Sequence, residues 1–216
     1  MAPFSLAHHS TTQLVLQTID VYERSAKECL ARWSKRRHRR PPLLVKWLQC
    51  LPADARLLDL GCGGGQDAGD LAQRGYRVVG LDRTRALLSA GRRRYRALPL
   101  VCADLRDLPF QTMSFDGLWA AASLIHLPKP DARRILTDLC RLVRPGGLFA
   151  ATVTHGVKSR LVTDGWLPGR YIARWRKEEF ARAARRAGWT ILELRVATNR
   201  ERKGRWINVI ARREGE

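Results

Sequence analysis

A glycine-rich turn directly after an apolar run is the part of this sequence where chemistry is easiest to recognise. Residues 57–60 are apolar except for Asp59, residues 61–65 read Gly-Cys-Gly-Gly-Gly, and residues 66–72 have the pattern of a helix start. An apolar run bounded by a turn predicts a buried parallel strand. The helix that follows directs free N–H groups and a positive dipole end at the turn, and glycines leave room for a ligand against the backbone. The stretch therefore predicts a nucleotide-like cofactor site.

The glycine spacing alone does not name the cofactor. Gly63-x-Gly65-x-x-Ala68 fits the dinucleotide fingerprint, whereas the register that starts at Gly61 has Gln66 at its last position and breaks it. Asp59 argues against a pyrophosphate, because a carboxylate at a strand tip repels an anion. It favours a cofactor without phosphate that carries an ammonium and a sulfonium. The alternative is an ordinary tight turn whose amides donate to Asp59.

Four later segments repeat the pattern of a short apolar run near an acid or a glycine turn. They are residues 77–82, which end in Asp82; residues 100–105, which contain Asp104; residues 115–122; and residues 148–154, after Pro145-Gly146-Gly147. Together with the glycine-rich stretch, and in the same order, these segments resemble the motifs of the class I S-adenosylmethionine-dependent methyltransferases, of the methyltransferase-11 type. The resemblance covers about residues 55–154, and five motifs in family order make it specific.

The resemblance implies S-adenosyl-L-methionine as the cofactor. It implies glycine contacts to the methionine moiety, Asp82 at the ribose and Asp104 at the adenine amino group, with Leu105 beside the ring. An aromatic residue near Tyr22 often touches the methionine end in this family, although ordinary packing is an open alternative for Tyr22. For Cys62, small size is an alternative reason for its place in the loop. The expected cofactor-binding residues are Tyr22, Asp59, Gly61, Cys62, Gly63, Gly65, Asp82, Arg83, Asp104 and Leu105.

Methyl transfer needs positioning more than covalent chemistry, because the sulfonium already activates the methyl group. A base assists if the acceptor is a hydroxyl, a carboxyl or an amine. His126, just after the fourth expected strand, is the candidate general base. The alternative is that His126 only orients its loop or packs at the start of the next helix. His155, at the end of the fifth expected strand, is a second candidate.

Strands that alternate with helices predict an α/β fold with a parallel sheet. The family resemblance implies a single Rossmann-like, doubly wound domain with a seven-stranded, mostly parallel sheet and an antiparallel last strand. Within it, we expect residues 1–50 to form a helical cap over the cofactor and residues 51–154 to form the cofactor-binding core. Residues 155–216 are expected to supply an acceptor-side loop, a helix and a C-terminal β-hairpin.

The chain is strongly basic, with a formal net charge of +20 over 216 residues. Residues 1–50, 51–154 and 155–216 carry +6, +5 and +9, so the charge is concentrated in the flanks. Arginine runs at residues 35–40 and 200–205, near tryptophans, resemble a nucleic-acid footprint. Arginine outnumbers lysine 33 to 7, which a GC-rich genome also produces. The predicted function is methyl transfer to an O, N or C nucleophile of a small-molecule acceptor, and the alternative is a tRNA or RNA methyltransferase that uses the basic flanks.

The remaining composition indicates a compact enzyme. A hydrophobic content of 45% is sufficient for one core. No apolar run is long enough to span a bilayer, and the N-terminus lacks a secretory pattern, so we expect a cytoplasmic protein. The five cysteines are scattered without CxxC spacing, which predicts buried, reduced thiols and no metal site. The sequence does not indicate an oligomeric state.

Overall fold

The computed structural model describes residues 10–34, 41–199 and 204–215. Its helices are α1 (Thr11–Arg24), α2 (Ala26–Ser34), α3 (Pro42–Leu48), α4 (Gln66–Ala72), α5 (Arg85–Arg94), α6 (Lys129–Leu142) and α7 (Lys177–Arg186). Its strands are β1 (Arg56–Leu60), β2 (Arg77–Asp82), β3 (Leu100–Cys102), β4 (Phe115–Ala121), β5 (Val143–His155), β6 (Arg160–Leu161), β7 (Tyr171–Ile172), β8 (Arg174–Trp175), β9 (Trp189–Asn199) and β10 (Gly204–Arg213). A 3-10 turn spans Leu124–His126. The arginine run at 35–40 and most of the run at 200–205 lie outside the described residues.

The fold is built on one large sheet, whose strands lie in the order β3-β2-β1-β4-β5-β10-β9. The pairs from β3 to β5 are parallel, and β10 is antiparallel to both β5 and β9. This arrangement confirms the expected seven-stranded sheet with an antiparallel last strand, and the short β8 adds an eighth strand beside β5. The strand order reverses between β1 and β4. In open α/β sheets, ligands bind at such a reversal, outside the carboxyl ends of the strands.

Helices cover both faces of the sheet, as a doubly wound fold requires. Leu57 and Leu58 are fully buried on opposite faces, because side chains alternate along a strand. The face of Leu58 packs against α6 and α7 through residues such as Leu136 and Phe180. The face of Leu57 packs against α3 and α4, where Trp47 stacks on Trp119 at 5.7 Å between ring centroids. The glycine-rich turn is therefore supported on both sides by buried apolar layers.

Three element boundaries differ from the sequence-based expectation. The third strand ends at Cys102, so Asp104 lies in the loop after it. The fifth strand begins at Val143, and the Pro145–Gly147 turn forms an irregularity inside it, with Gly146 at φ +77°. The N-terminal helical pattern breaks at Ser25 into α1 and α2.

The exposure of two cysteines contradicts one further expectation. All five cysteines are free, but Cys50 and Cys102 are exposed, and only Cys29, Cys62 and Cys140 are buried. The prediction of buried thiols is therefore wrong for two of the five, which lie at the end of a helix and at an edge strand. Within the described ranges, no helix is long and apolar enough to cross a membrane. The same ranges contain no cluster of three or more potential metal-ligating His, Cys, Asp or Glu side chains.

Candidate functional site

The turn after β1 is built from glycines in the left-handed backbone region. Gly61, Gly63 and Gly65 have φ values of +72°, +57° and +74°. A side chain is strained at such angles. The turn is held against β2, because the N–H groups of Gly61 and Cys62 both donate to the carbonyl of Leu81, at 2.7 and 2.9 Å. This geometry explains why glycine occupies the alternate positions of the loop.

Asp59 is buried at the end of β1, where its carboxylate faces the first turn of α4. Its side chain is 3% exposed, and its carboxylate accepts the N–H of Ala68 at 3.2 Å, in the first turn of α4. Burial raises the pKa of Asp59 well above its usual range, and Asp67 and Asp82 add to this increase. The contact to Ala68 matches the alternative in which Asp59 caps local amides. A cofactor contact for Asp59 remains a prediction.

Asp82, at the end of β2, joins the glycine turn to the next helix. One carboxylate oxygen accepts the N–H of Gly63 at 2.8 Å, and the other accepts the N–H of Thr84 at 2.8 Å. Burial raises the pKa of Asp82, and the hydrogen bonds from Thr84 and Gly63 oppose that increase. The Thr84 side chain and the Arg83 N–H also hydrogen-bond to this carboxylate, so a ligand hydroxyl at Asp82 would compete with donors of the protein.

A buried hydroxyl without a partner lies next to the turn. Ser123 follows β4, is 6% exposed, and its Oγ has no hydrogen-bond partner among the residues that the structure describes. A Cβ at Gly61 would lie 2.4 Å from the Ser123 Cβ and 3.3 Å from its Oγ. Buried polar groups are normally paired, so this hydroxyl fits a polar ligand group held between the ends of β1 and β4. Together with the nearby carboxylate of Asp82, it makes the site suitable for a cofactor with hydroxyl and amino-acid groups.

The expected adenine-side residues surround an open cavity of about 1280 Å³. Asp104 and the exposed Arg83 line it, together with Arg106, which forms a 2.8 Å ion pair with Asp104. Burial alone would raise the pKa of Asp104, but hydrogen bonds and charge from Arg106 hold that pKa below its usual value. Leu105 is partly buried against the main core. An adenine amino group would therefore share Asp104 with Arg106, and the role of Asp104 remains a prediction.

Cys62 packs beneath the loop. Its side chain is 7% exposed and clusters with Leu88 and Leu100. A Cβ at Gly80 would lie 2.9 Å from its sulfur, so the space there is fully used. These contacts support small size as the reason for a cysteine at this position.

Helix α2 covers the outer side of the turn. A Cβ at Gly63 would lie 3.0 Å from the Trp33 ring, and one at Gly64 would lie 2.4 Å from Leu30. The preceding helix is fixed by Glu23, whose carboxylate accepts the N–H groups of Arg85 and Ala86 at 2.5 and 2.9 Å. Glu23 thus caps the N-terminus of α5 from a different helix, which fastens the N-terminal helices to the core.

Tyr22 and His126, predicted separately, form one hydrogen-bonded unit with Arg170. The Tyr22 hydroxyl lies 3.0 Å from His126 Nε2, and His126 Nδ1 lies 3.0 Å from the carbonyl of Tyr171. A carbonyl only accepts, so Nδ1 carries the hydrogen and Nε2 accepts the Tyr22 O–H. Arg170 Nη1 donates to the Tyr22 oxygen at 2.9 Å.

This unit keeps the imidazole neutral. Burial and, to a smaller extent, the positive charge of Arg170 together lower the pKa of His126 to about 4, while the Tyr171 carbonyl opposes the shift. Burial also raises the pKa of Tyr22, against the effect of Arg170. At neutral pH, His126 therefore offers an unprotonated Nε2 that is reached through the Tyr22 hydroxyl. His155 is separate from this unit and pairs with Trp175 at the end of β5.

The sequence predicts that the fourth-strand tip at 123–127 and the aromatic loop at 155–175, which carries Trp166, border the acceptor pocket, but no motif singles out Arg170. Trp33 and Trp166 meet edge to face at 6.5 Å between centroids, and Arg170 lies over the Trp166 ring at 4.9 Å. Arg170 is one of 33 arginines and lies 148 residues from Tyr22, so no local spacing distinguishes it. Trp33 stands beside a basic run in the sequence, and nothing in its spacing indicates that it meets Trp166.

Comparison with known proteins gives a consistent family. A profile described as a methyltransferase domain matches residues 58–151. The chain is 35% identical over 118 residues to a demethylmenaquinone methyltransferase of Corynebacterium urealyticum, covering 55% of this chain and 46% of that protein. It is 32% identical over 147 residues to the mouse tRNA (carboxymethyluridine(34)-5-O)-methyltransferase ALKBH8, covering 67% of this chain and 21% of that protein. The chain spans between 37% and 48% of the length of the first curated relatives it matches.

Longer alignments exist at lower identity. A ubiquinone biosynthesis O-methyltransferase of Acinetobacter baumannii is 28% identical over 206 residues, covering 82% of this chain and 85% of that protein. A crystal structure of Burkholderia thailandensis 1,6-didemethyltoxoflavin-N1-methyltransferase, with bound 1,6-didemethyltoxoflavin and S-adenosylhomocysteine, superposes with a TM-score of 0.79. It is 19% identical and covers 99% of this chain and 95% of that chain. At this identity, the superposition establishes the fold alone.

Proposed function

We propose that this chain, which belongs to the class I S-adenosylmethionine-dependent methyltransferase family, transfers a methyl group from S-adenosyl-L-methionine to a small-molecule acceptor. The observation that carries the proposal is the glycine turn at the strand reversal, where Asp82 and the unpartnered Ser123 hydroxyl lie beside three glycines with positive φ. When bound there, the cofactor supplies a sulfonium-activated methyl group.

The residues around the turn suit the different parts of this cofactor. Asp82 is assigned to the ribose hydroxyls, and Ser123 offers a buried hydroxyl to the amino-acid end. Asp104, Arg83 and Leu105 are assigned to the adenine side, next to the open cavity. Asp59 is assigned an indirect role, because it holds the first turn of α4.

His126 acts in this proposal as the proton acceptor, through Tyr22. Since both imidazole nitrogens are already engaged, an acceptor proton reaches Nε2 only through the Tyr22 hydroxyl. The proton of the nucleophile passes to the Tyr22 oxygen while the Tyr22 proton passes to Nε2. General-base assistance contributes about 10²–10⁴-fold when the pKa of the base lies near the operating pH. The lowered pKa of His126 makes it a weaker base than that, so positioning contributes most of the rate.

The relatives support a small-molecule acceptor. Proteins named demethylmenaquinone methyltransferase and ubiquinone biosynthesis O-methyltransferase are among those this chain resembles. The hydrogen-bonded unit of Tyr22, His126 and Arg170 joins α1, the turn after β4 and the 155–175 loop, the elements expected to border the acceptor.

A second candidate is methylation of tRNA or another RNA, in which the basic flanks bind the phosphates. The likeness to the mouse tRNA methyltransferase supports it, as do the arginines around the open cavity, among them Arg85, Arg92 and Arg134. Phosphate contacts would make such binding strongly dependent on salt.

Labelled methyl transfer distinguishes the two candidates. Purified protein, methyl-labelled S-adenosylmethionine and cell extract are incubated with and without RNase, and the products are separated by size. We expect label in small products that RNase does not affect. Label that RNase removes would favour the RNA candidate, and no label in any fraction would contradict the proposed activity.

A further inference from the structure

We propose that Arg170 binds the carboxylate of the acceptor, and that the acceptor is a flat aromatic carboxylate. This inference rests on the proposed function, because it names the ligand class of the same site. Arg170 comes from the loop between β6 and β7 and does not line the open cavity on the expected adenine side.

The guanidinium of Arg170 is buried and lacks an anionic partner in the described part of the chain. The residue is 9% exposed, and its hydrogen bonds go to the carbonyls of Leu167 and Trp166 and to the Tyr22 hydroxyl, all of them neutral. A buried charge is costly unless it is paired. A ligand anion would supply the missing pair.

Unused donors remain at this position. A guanidinium has five N–H donors in a planar fork that matches a carboxylate. Three of them have partners here, through Nε, Nη1 and Nη2, so two remain. Trp166 Nε1 is also buried and has no hydrogen-bond partner within residues 10–34, 41–199 and 204–215, so it is one more donor beside the same guanidinium.

Aromatic rings define the shape of the ligand. Arg170 lies over the ring of Tyr22 at 5.5 Å and over the ring of Trp166 at 4.9 Å. Trp33 lies 6.3 Å from Tyr22 and 6.5 Å from Trp166, between ring centroids. Rings around a cation favour a flat ligand, because aromatic faces stack on planar groups. A ligand whose carboxylate binds Arg170 would also have its aromatic ring next to the Tyr22 hydroxyl, which passes the proton to His126 in the proposed function.

The test is a calorimetric titration of the full chain saturated with S-adenosylhomocysteine. The probes are 4-hydroxybenzoate and its neutral counterpart 4-hydroxybenzamide. The variants are Arg170→Gln, Arg170→Lys and the matched control Arg32→Gln. Arg32 lies over the same Trp166 ring at 4.8 Å but is exposed, so its loss removes an arginine–indole contact without removing the buried cation.

We expect wild type and Arg32→Gln to bind the acid about tenfold or more tightly than the amide, as a hydrogen-bonded charge pair requires. Arg170→Gln should lose this preference, and Arg170→Lys should keep only part of it. The melting temperature and S-adenosylhomocysteine binding show whether Arg170→Gln folds. If it does not fold, the inference is tested by two other measurements, namely the preference of the wild type for acid over amide and the reduced preference of Arg170→Lys.

Three results would overturn the inference. If the wild-type chain binds S-adenosylhomocysteine but neither probe, the acceptor is not a flat aromatic carboxylate. Equal affinity of wild type and Arg170→Gln for 4-hydroxybenzoate would show that Arg170 does not bind the carboxylate. A tenfold loss of S-adenosylhomocysteine affinity in Arg170→Gln would assign Arg170 to the cofactor. Wild type that binds no S-adenosylhomocysteine would instead contradict the proposed function, so the two failures are distinguishable.

Discussion

At the scale of single residues, the candidate site depends on polar side chains that satisfy the backbone before any ligand arrives. Asp82 accepts N–H groups from Gly63 and Thr84, and Asp59 accepts one from Ala68. These carboxylates set the shape of the loop as well as its charge. Such dual use is not visible in a motif, which indicates residue type and spacing but not which hydrogen bonds are already made.

Replacing Asp82 is expected to weaken cofactor binding. In Asp82→Ala, the Gly63 N–H loses its acceptor and the ribose loses a carboxylate, so S-adenosylhomocysteine affinity should fall about tenfold or more. Calorimetry measures this affinity. Asp138→Ala is the control, because Asp138 is paired with Arg134 and Arg141 on the surface of α6. An unchanged affinity in Asp82→Ala would mean that the site is misplaced.

His126 is expected to make stability depend on pH. Its pKa is about 4 in the folded chain against 6.5 for an ordinary histidine. Between these values, the unfolded chain binds a proton that the folded chain does not, so stability falls as the pH falls from about 6.5 to about 4. The loss should reach about 2–3 kcal/mol. Urea unfolding across this window measures it.

The control for this effect is His126→Gln, which cannot titrate. Other groups titrate equally in both proteins, so the difference between their unfolding free energies isolates His126. The difference between the two curves should be constant above about pH 6.5 and should change progressively as the pH falls to about 4, with the wild type losing stability relative to His126→Gln. Parallel curves over the whole window would show that the pKa of His126 is not lowered.

At the scale of elements, strand positions were predictable and contacts between distant elements were not. The residues ending in Asp82 and those of the last hairpin carry their strand pattern locally, so their placement follows from the sequence. Tyr22 and His126 are 104 residues apart and meet only because α1 lies across the end of β4. The third strand was predicted too long because the apolar pattern continues to Leu105, although pairing with β2 ends at Cys102.

The glycine turn is expected to tolerate no side chain at its first position. A Cβ at Gly61 meets both a φ of +72° and the Ser123 Cβ at 2.4 Å. Gly61→Ala should therefore destabilise the fold by about 1–3 kcal/mol more than backbone strain alone. Gly75→Ala is the matched control, since Gly75 has φ +91° and open space around it. Equal unfolding free energies in urea for the two variants would contradict the close approach.

Glu23 is expected to fasten the N-terminal helices to α5. Glu23→Ala removes the acceptor of two N–H groups at a helix start, which should cost about 1–2 kcal/mol. The melting temperature should fall by about 3–6 °C. Asp20→Ala, on the same helix, removes only an exposed pair with Arg24 and should change stability by less than about 0.5 kcal/mol. Equal effects of both variants would show that Glu23 does not act as a cap.

At the scale of the whole molecule, the sheet order places the glycine turn and the loop after β4 on the two sides of one strand reversal. The resemblance of five ordered motifs was sufficient to predict this architecture. It was not sufficient to predict the acceptor side, because Arg170, Trp33 and Trp166 come from the flanks, where no motif fixes position. Most of the net charge of +20 lies in the same flanks, and some of the charged residues are outside the described ranges.

Calorimetric titration of S-adenosylhomocysteine into the purified wild-type chain tests the central claim most directly. The fold, the glycine turn, Asp82 and Ser123 together predict saturable binding at one site per chain, with NADH giving no saturable heat under the same conditions. Absence of saturable binding by a folded protein, or preferential binding of NADH, would contradict the assignment of this turn to S-adenosylmethionine.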